Sequence, residues 1–274
     1  MTERSPETGP QAGMTAGSVD CGDHAIAYDV AGDGPDVVFA HALGLDRHIW
    51  DDVLPHLPGH RRIRLDMRGH GQSDVPDGPY TMGGLIADAE AICDALGVRD
   101  AVFVGLSVGG MIGQGLAVKR LDLLRGLVLS NTAAKFGQPV QWHDRAALVR
   151  AEGLGALADG ALDKWFGPKG RDSSAASWAR AQLLRCPPEG YAGCCAAIAG
   201  TDFYTPTSGL RLPTLGIAGD RDGSTPPDLV RETTHLIPGA GFTLMRGSGH
   251  LPCLDAPAEF AAHLAAFFRR IGHV

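Results

Sequence analysis

The sequence predicts an α/β chain, a mostly parallel central sheet covered by helices on both faces, with a helical insertion between two of its later strands. Three observations predict it. The runs 37–40, 101–106 and 127–129 are apolar without alternation, as strands buried on both faces must be. Strand-like and helix-like segments alternate before residue 131 and again after residue 206. Between them lie several helical patterns and no convincing strand.

Taken in order, Met1 to Gly17 is polar, rich in Pro, Gly, Ser and Thr, and has neither a basic start nor an apolar core. It reads as a disordered tail (1–17) and not as a secretion signal, which places the protein in the cytoplasm; Met14 is an alternative start. The domain then spans 18–274. Strand-like runs follow at 25–30, 37–40 and 62–66, a helix near 82–96, and a strand at 101–106. The insertion, about 132–206, contains Leu154, Leu157, Ala158, Ala161, Leu162 and Trp165 at helical spacing, one apolar face that must lean on the sheet as a lid. Trp142, His143 and Arg145 are placed just before the first lid helix. Strand, helix, strand and helix return at 213–218, 228–236, 242–245 and 259–271.

At 274 residues the chain can bury a full core without disulfides or metal. Its 44% hydrophobic and 20% charged residues are ordinary for a globular protein, and a net charge of −7 argues against nucleic acid and anionic membrane surfaces. No apolar run is long enough to span a bilayer. Six cysteines show no C-x-x-C spacing, so they are read as reduced and mostly buried. No metal or cofactor is implied, His250 and Cys253 included. The oligomeric state is not legible.

The chemistry is concentrated in Gly105-Leu106-Ser107-Val108-Gly109. A serine between a buried strand and a helix sits on a sharp, strained turn that presents its hydroxyl, and side chains at the flanking glycines would collide with neighbouring backbone. A serine hydroxyl is too weakly acidic to attack unaided. It needs an imidazole, which in turn needs a carboxylate to fix its tautomer. Two acids, Asp220 and Asp222, lie on the loop after the strand ending near Ala218; Asp222, at the loop apex, is the preferred one. Of eleven histidines, His250 lies in the Gly-rich loop between strand 242–245 and the last helix, where groups converge at the carboxyl ends of parallel strands. Ser107, Asp222, His250 is the chain order of this arrangement. The N–H of Val108, at a helix start, and that of Leu43, after strand 37–40, are the candidate donors to a developing oxyanion. His41 reads as a loop-fixing side chain, and Arg68 and His70 as structural members of the glycine-rich turn 66–74.

With these residues in place the chain resembles the α/β-hydrolase family, and within it bacterial 3-oxoadipate enol-lactonases. His41-Ala42-Leu43-Gly44-Leu45-Asp46, Asp66-Met67-Arg68-Gly69-His70-Gly71 and Gly105-Leu106-Ser107-Val108-Gly109 carry the wider family. The lid stretches Trp142-His143-Asp144-Arg145 and Gly193-Cys194-Cys195-Ala196-Ala197-Ile198 narrow it. The resemblance implies a triad of Ser107, Asp222 and His250, an oxyanion hole of Leu43 and Val108, and a small-molecule lactone or ester as substrate. Trp142 and Arg145 are candidate substrate-binding residues, with Lys135 and Arg150 as further candidates for a substrate carboxylate. A broader carboxylesterase, carbon–carbon hydrolase, perhydrolase or small-molecule receptor on the same fold is the alternative. Serine at position 107 argues against dehalogenases and typical epoxide hydrolases, which place aspartate there.

Overall fold

The computed structural model describes residues 13–274. Eight strands, β1 (Met14–Asp20), β2 (Ala25–Ala31), β3 (Asp36–Ala40), β4 (Arg61–Leu65), β5 (Ala101–Leu106), β6 (Leu124–Ser130), β7 (Thr214–Gly219) and β8 (Gly241–Met245), form one sheet in the order β1-β2-β4-β3-β5-β6-β7-β8. β1 and β2 are antiparallel to their neighbours, and β4, β3 and β5 to β8 run parallel. Helices α1 (Met82–Ala95), α2 (Val108–Lys119), α8 (Pro227–His235) and α10 (Pro257–Arg270) connect or close the parallel part.

The apolar runs form the interior as predicted. Every residue of β5 and β7 is buried, and Val37, Val38, Phe39, Phe103, Val104, Leu127 and Val128 are fully so. Burying each such side chain contributes about 1.5–3 kcal/mol, which locks the register of the central strands. The chain leaves β3 for β4 on one side and crosses to β5 on the other. The sheet's order therefore reverses between β3 and β5, and the carboxyl ends of these two strands open a crevice.

The tail expected at 1–17 requires correction. Residues 1–12 lie outside the described residues, but Met14 to Gly17 belong to β1, paired through Met14↔Ala31 to Asp20↔Ala25. This edge strand is mostly solvent-exposed and held by backbone pairing, so it carries no apolar signature. Arg64 Nη2 also contacts Met14 Sδ at 3.2 Å.

The insertion forms α3 (Pro139–Glu152), α4 (Gly155–Gly170), α5 (Ser174–Arg185), α6 (Pro188–Ala199) and α7 (Tyr204–Ser208). Trp142, His143 and Arg145 lie inside α3, not before the first lid helix. Pro139 opens α3, and a capping box between Gln138 and Gln141 closes its first turn. Only Ala146 and Val149 of α3 are buried, too short an apolar stripe to announce a helix. The short α9 (Pro252–Asp255) precedes α10. Among the described residues no helix is long and apolar enough to cross a membrane.

Where β2 pairs with β4, a buried ionic cluster fixes the 66–74 turn. Asp66 accepts from the Arg47 N–H at 2.7 Å, from the Gln72 N–H at 2.9 Å and from the Arg47 guanidinium. Asp29 takes Arg47 and Arg64, with bonds of 2.7–2.8 Å. Removing one member would strand a buried charge, so the cluster specifies this turn's shape.

Candidate active site

β5 ends at Leu106 and α2 begins at Val108, so Ser107 alone makes the turn. It does so at φ +57° and ψ −120°, a conformation that strains any L side chain. The strain is held by its surroundings. The Ser107 N–H donates to Ser130 O at 2.9 Å, and Thr132 Oγ1 donates to Ser107 O at 2.6 Å. A Cβ on Gly105 would lie 2.3 Å from Gly109 O, and one on Gly109 would lie 2.3 Å from Ala40 O. Strand and helix backbones touch where those glycines stand.

Asp222, on the loop after β7, is buried at 6% exposure and saturated with donors. Its Oδ1 accepts the Ser224 and Thr225 N–H groups at 2.7 and 2.8 Å. Its Oδ2 accepts His250 Nδ1 at 2.8 Å and Asn131 Nδ2 at 2.9 Å. Asp220, the other candidate acid, lies on the exposed side and accepts the Gly247 N–H at 2.7 Å. The structure therefore pairs Asp222, not Asp220, with His250. With Nδ1–H donated to Asp222, the remaining ring nitrogen of His250 is left as an acceptor for a hydroxyl proton.

Ser107, Leu43 and His250 line one cavity of about 270 Å³, roofed by the lid through Trp142, Arg145, Leu157, Lys164, Trp165, Tyr191 and Ile198. The Val108 N–H is at the first helical position, where no intrahelical acceptor exists. The loop carrying Leu43 is fixed on both sides. Gly44 N–H donates to His70 Nε2 at 3.0 Å, Met67 N–H donates to His41 Nε2 at 3.0 Å, and His41 Nδ1 donates to Ala42 O at 2.8 Å. Burial drives the pKa of His41 down to about 4 and that of His70 to about 3, so both are neutral acceptors. Among the described residues no backbone acceptor meets the Leu43 N–H, which leaves it free for a ligand oxygen.

Arg145 stacks 5.0 Å over the Trp142 ring and approaches the Tyr191 hydroxyl at 3.4 Å. Among the described residues no carboxylate pairs with it, and it stands on the cavity wall. The other two candidates for a substrate carboxylate are not brought to the site. Lys135 pairs with Asp202 at 3.0 Å and Arg150 with Glu189 at 2.9 Å, neither on the cavity wall. Sequence reasoning missed Lys164, whose charge reads as a solvated helix face, and Asn131, whose position after β6 mirrors that of Ser107 after β5. Arg68 turns away to donate to both Asp88 oxygens at 2.6 Å.

Three atoms of metal-ligating type, on Cys21, His24 and Asp88, lie within 4.8 Å of one another. Arg68 already pairs with Asp88, and His24 hydrogen-bonds both Asp23 and Asp88, so these groups are engaged with one another and none of them lines the cavity.

A strained serine and an imidazole paired with a carboxylate thus meet at one cavity, at the carboxyl ends of the parallel strands. A family model described as the alpha/beta hydrolase fold matches residues 35–188, and the chain belongs to that family. It is 35% identical over 208 residues to 3-oxoadipate enol-lactonase 2 of Acinetobacter baylyi, covering 74% of this chain and 78% of that protein. It is 31% identical over 240 residues to 3-oxoadipate enol-lactonase 1 of the same organism, covering 86% and 90%. The enol-lactonase structure from Burkholderia xenovorans LB400 superposes with a TM-score of 0.88 at 31% identity, covering 92% of this chain and 100% of that one.

Proposed function

We propose that this chain hydrolyses 3-oxoadipate enol-lactone to 3-oxoadipate, through an acyl-enzyme on Ser107, as an enzyme of the cytoplasm. The observation that carries the reading is the 2.8 Å bond from His250 to Asp222, in a cavity that also holds Ser107 and an unpaired Arg145. Similarity to enol-lactonases supplies the substrate class.

In this reading Ser107 Oγ attacks the lactone carbonyl as His250 Nε2 takes its proton. The carbonyl oxygen, now negative, accepts the Leu43 and Val108 N–H groups, and the N-terminal dipole of α2 adds to their field. The acyl C–O bond then breaks and the ring opens to an enol. His250 hands the serine's proton to the departing enolate oxygen and is neutral again; because that enolate is already a good leaving group, the transfer matters less to the rate here than in amide cleavage. His250 next deprotonates water, which attacks the acyl-enzyme; Ser107 regains its proton and the enol tautomerises to the ketone. Arg145 takes the substrate's carboxylate, stiffened by Trp142 beneath it. The lid helices exclude bulk water from the rest of the cavity.

The test is steady-state hydrolysis of freshly generated enol-lactone beside p-nitrophenyl esters. The reading requires higher kcat/KM for the lactone and loss of turnover in Ser107→Ala with the fold retained. Preference for the simple ester refutes the substrate, and near-normal rates in Ser107→Ala refute the nucleophile.

A further inference from the structure

Asp255, the last residue of α9, takes no part in the chemistry above, yet its carboxylate reaches back to the loop that carries the base. Its Oδ2 accepts the Gly249 N–H at 2.7 Å. The next peptide is gripped from the opposite side. His250 N–H donates to Trp165 O of the lid helix α4 at 2.7 Å, and a Cβ on Gly249 would lie 1.9 Å from that same oxygen. α4 also receives the Gly223 N–H on Lys164 O at 3.0 Å, one residue past the acid. Asn131 Nδ2 ties the two loops together, donating to Gly249 O at 3.2 Å as well as to Asp222.

We propose that Asp255 is a positioning residue for His250, the lower jaw of a clamp whose upper jaw is the α4 main chain. It holds the peptide before the histidine so that the imidazole spans Asp222 and Ser107. The inference rests on His250 being the base. Burial raises the Asp255 carboxyl to about 6, against the pull of the Gly249 N–H and the Arg221 charge, so it is an ionised acceptor at neutral pH. A charged acceptor makes the stronger bond to the amide, so its loss loosens the peptide that carries the histidine. A shift of about 1 Å in a catalytic group costs on the order of a hundredfold in rate.

The test uses the full chain with p-nitrophenyl acetate, an activated ester that any serine triad cleaves, so the result does not depend on the lactone. Asp255→Ala is expected to lower kcat roughly 10- to 100-fold with KM within about twofold. Asp255→Asn, whose amide oxygen accepts the same N–H, restores kcat to within a few-fold. The far-downfield proton resonance of His250 Nδ1–H is unchanged in Asp255→Asn and shifted or broadened in Asp255→Ala. If Asp255→Ala does not fold, Asp255→Ser, too short to reach Gly249, carries the same expectations. A wild-type kcat and an unmoved resonance in the Ala or Ser variant overturn the clamp, as does an Asn variant no better than Ala. Activity retained in His250→Ala overturns instead the assignment of the base.

Discussion

Replacing Asp222 by asparagine tests how the site fixes the proton on His250. Two backbone N–H groups, of Ser224 and Thr225, converge on Oδ1 at 2.7 and 2.8 Å, so the single oxygen of an asparagine is held there. Its NH2 then faces His250 Nδ1, where Oδ2 accepted at 2.8 Å. The imidazole must accept at Nδ1 and carry its proton on Nε2, where it can no longer take one from Ser107. In a serine protease the same exchange lowers kcat by about 10⁴, and tenfold per 1.36 kcal/mol makes that about 5.4 kcal/mol of lost transition-state stabilisation. We expect a fall of roughly 10³- to 10⁴-fold in kcat, measured on enol-lactone at neutral pH, with the fold retained but a somewhat lower thermal midpoint, because the same NH2 also meets the Asn131 Nδ2 donor. Asp220→Asn, whose carboxylate accepts the Gly247 N–H on the exposed side, is expected to stay within about threefold, since surface changes of this kind stay near 0.5 kcal/mol. A loss below tenfold in folded Asp222→Asn, or a larger loss in Asp220→Asn, refutes the reasoning.

Arg145→Ala removes the cavity's unpaired guanidinium; a charge-assisted hydrogen bond of about 1.5–3 kcal/mol predicts a 10- to 100-fold higher KM for the lactone, with uncharged esters unaffected in the same assay. Burial and the nearby Asp66 charge raise the Asp46 carboxyl from 3.8 to about 6. The folded state therefore holds a proton that the unfolded state releases between pH 4 and 6, stability falls as pH rises through that window, and the deficit persists at neutral pH. Asp46→Asn keeps the N-cap to His48 and should stabilise by up to about 3 kcal/mol at pH 7.5, with the gain gone at pH 3.5, by urea unfolding. Gly109→Ala drives a methyl into Ala40 O and His41 O at 2.3 and 2.9 Å, and a lower thermal midpoint by on the order of 5–10 °C is expected; an unchanged midpoint contradicts the close approach of α2 to β3.

Much of the parallel sheet is legible because burial on both faces leaves unbroken apolar runs such as 101–106, and the elbow because a serine between glycines is readable chemistry. β1 is hidden because an exposed edge strand needs no apolar face. α3 is hidden because it packs through only two buried side chains, so in the sequence Trp142 and Arg145 read as preceding the lid helices. Choosing among cations required three dimensions. Lys135 and Arg150 find carboxylates on remote stretches, Asp202 and Glu189, whereas Arg145 finds none among the described residues. Asn131 reaches the histidine loop across 118 residues of sequence, a separation that no local pattern records, whereas Asp255 is only 6 residues from Gly249 but reaches it through the turn of α9.

The central claim is that Ser107 becomes acylated. Rapid acid quench of enzyme with enol-lactone, followed by intact-mass analysis and peptide mapping, tests it most directly. Because the leaving group stays tethered, the account predicts an adduct of one whole substrate molecule on Ser107, absent from Ser107→Ala. Efficient turnover with no adduct on Ser107, or with an adduct on another residue, would contradict it.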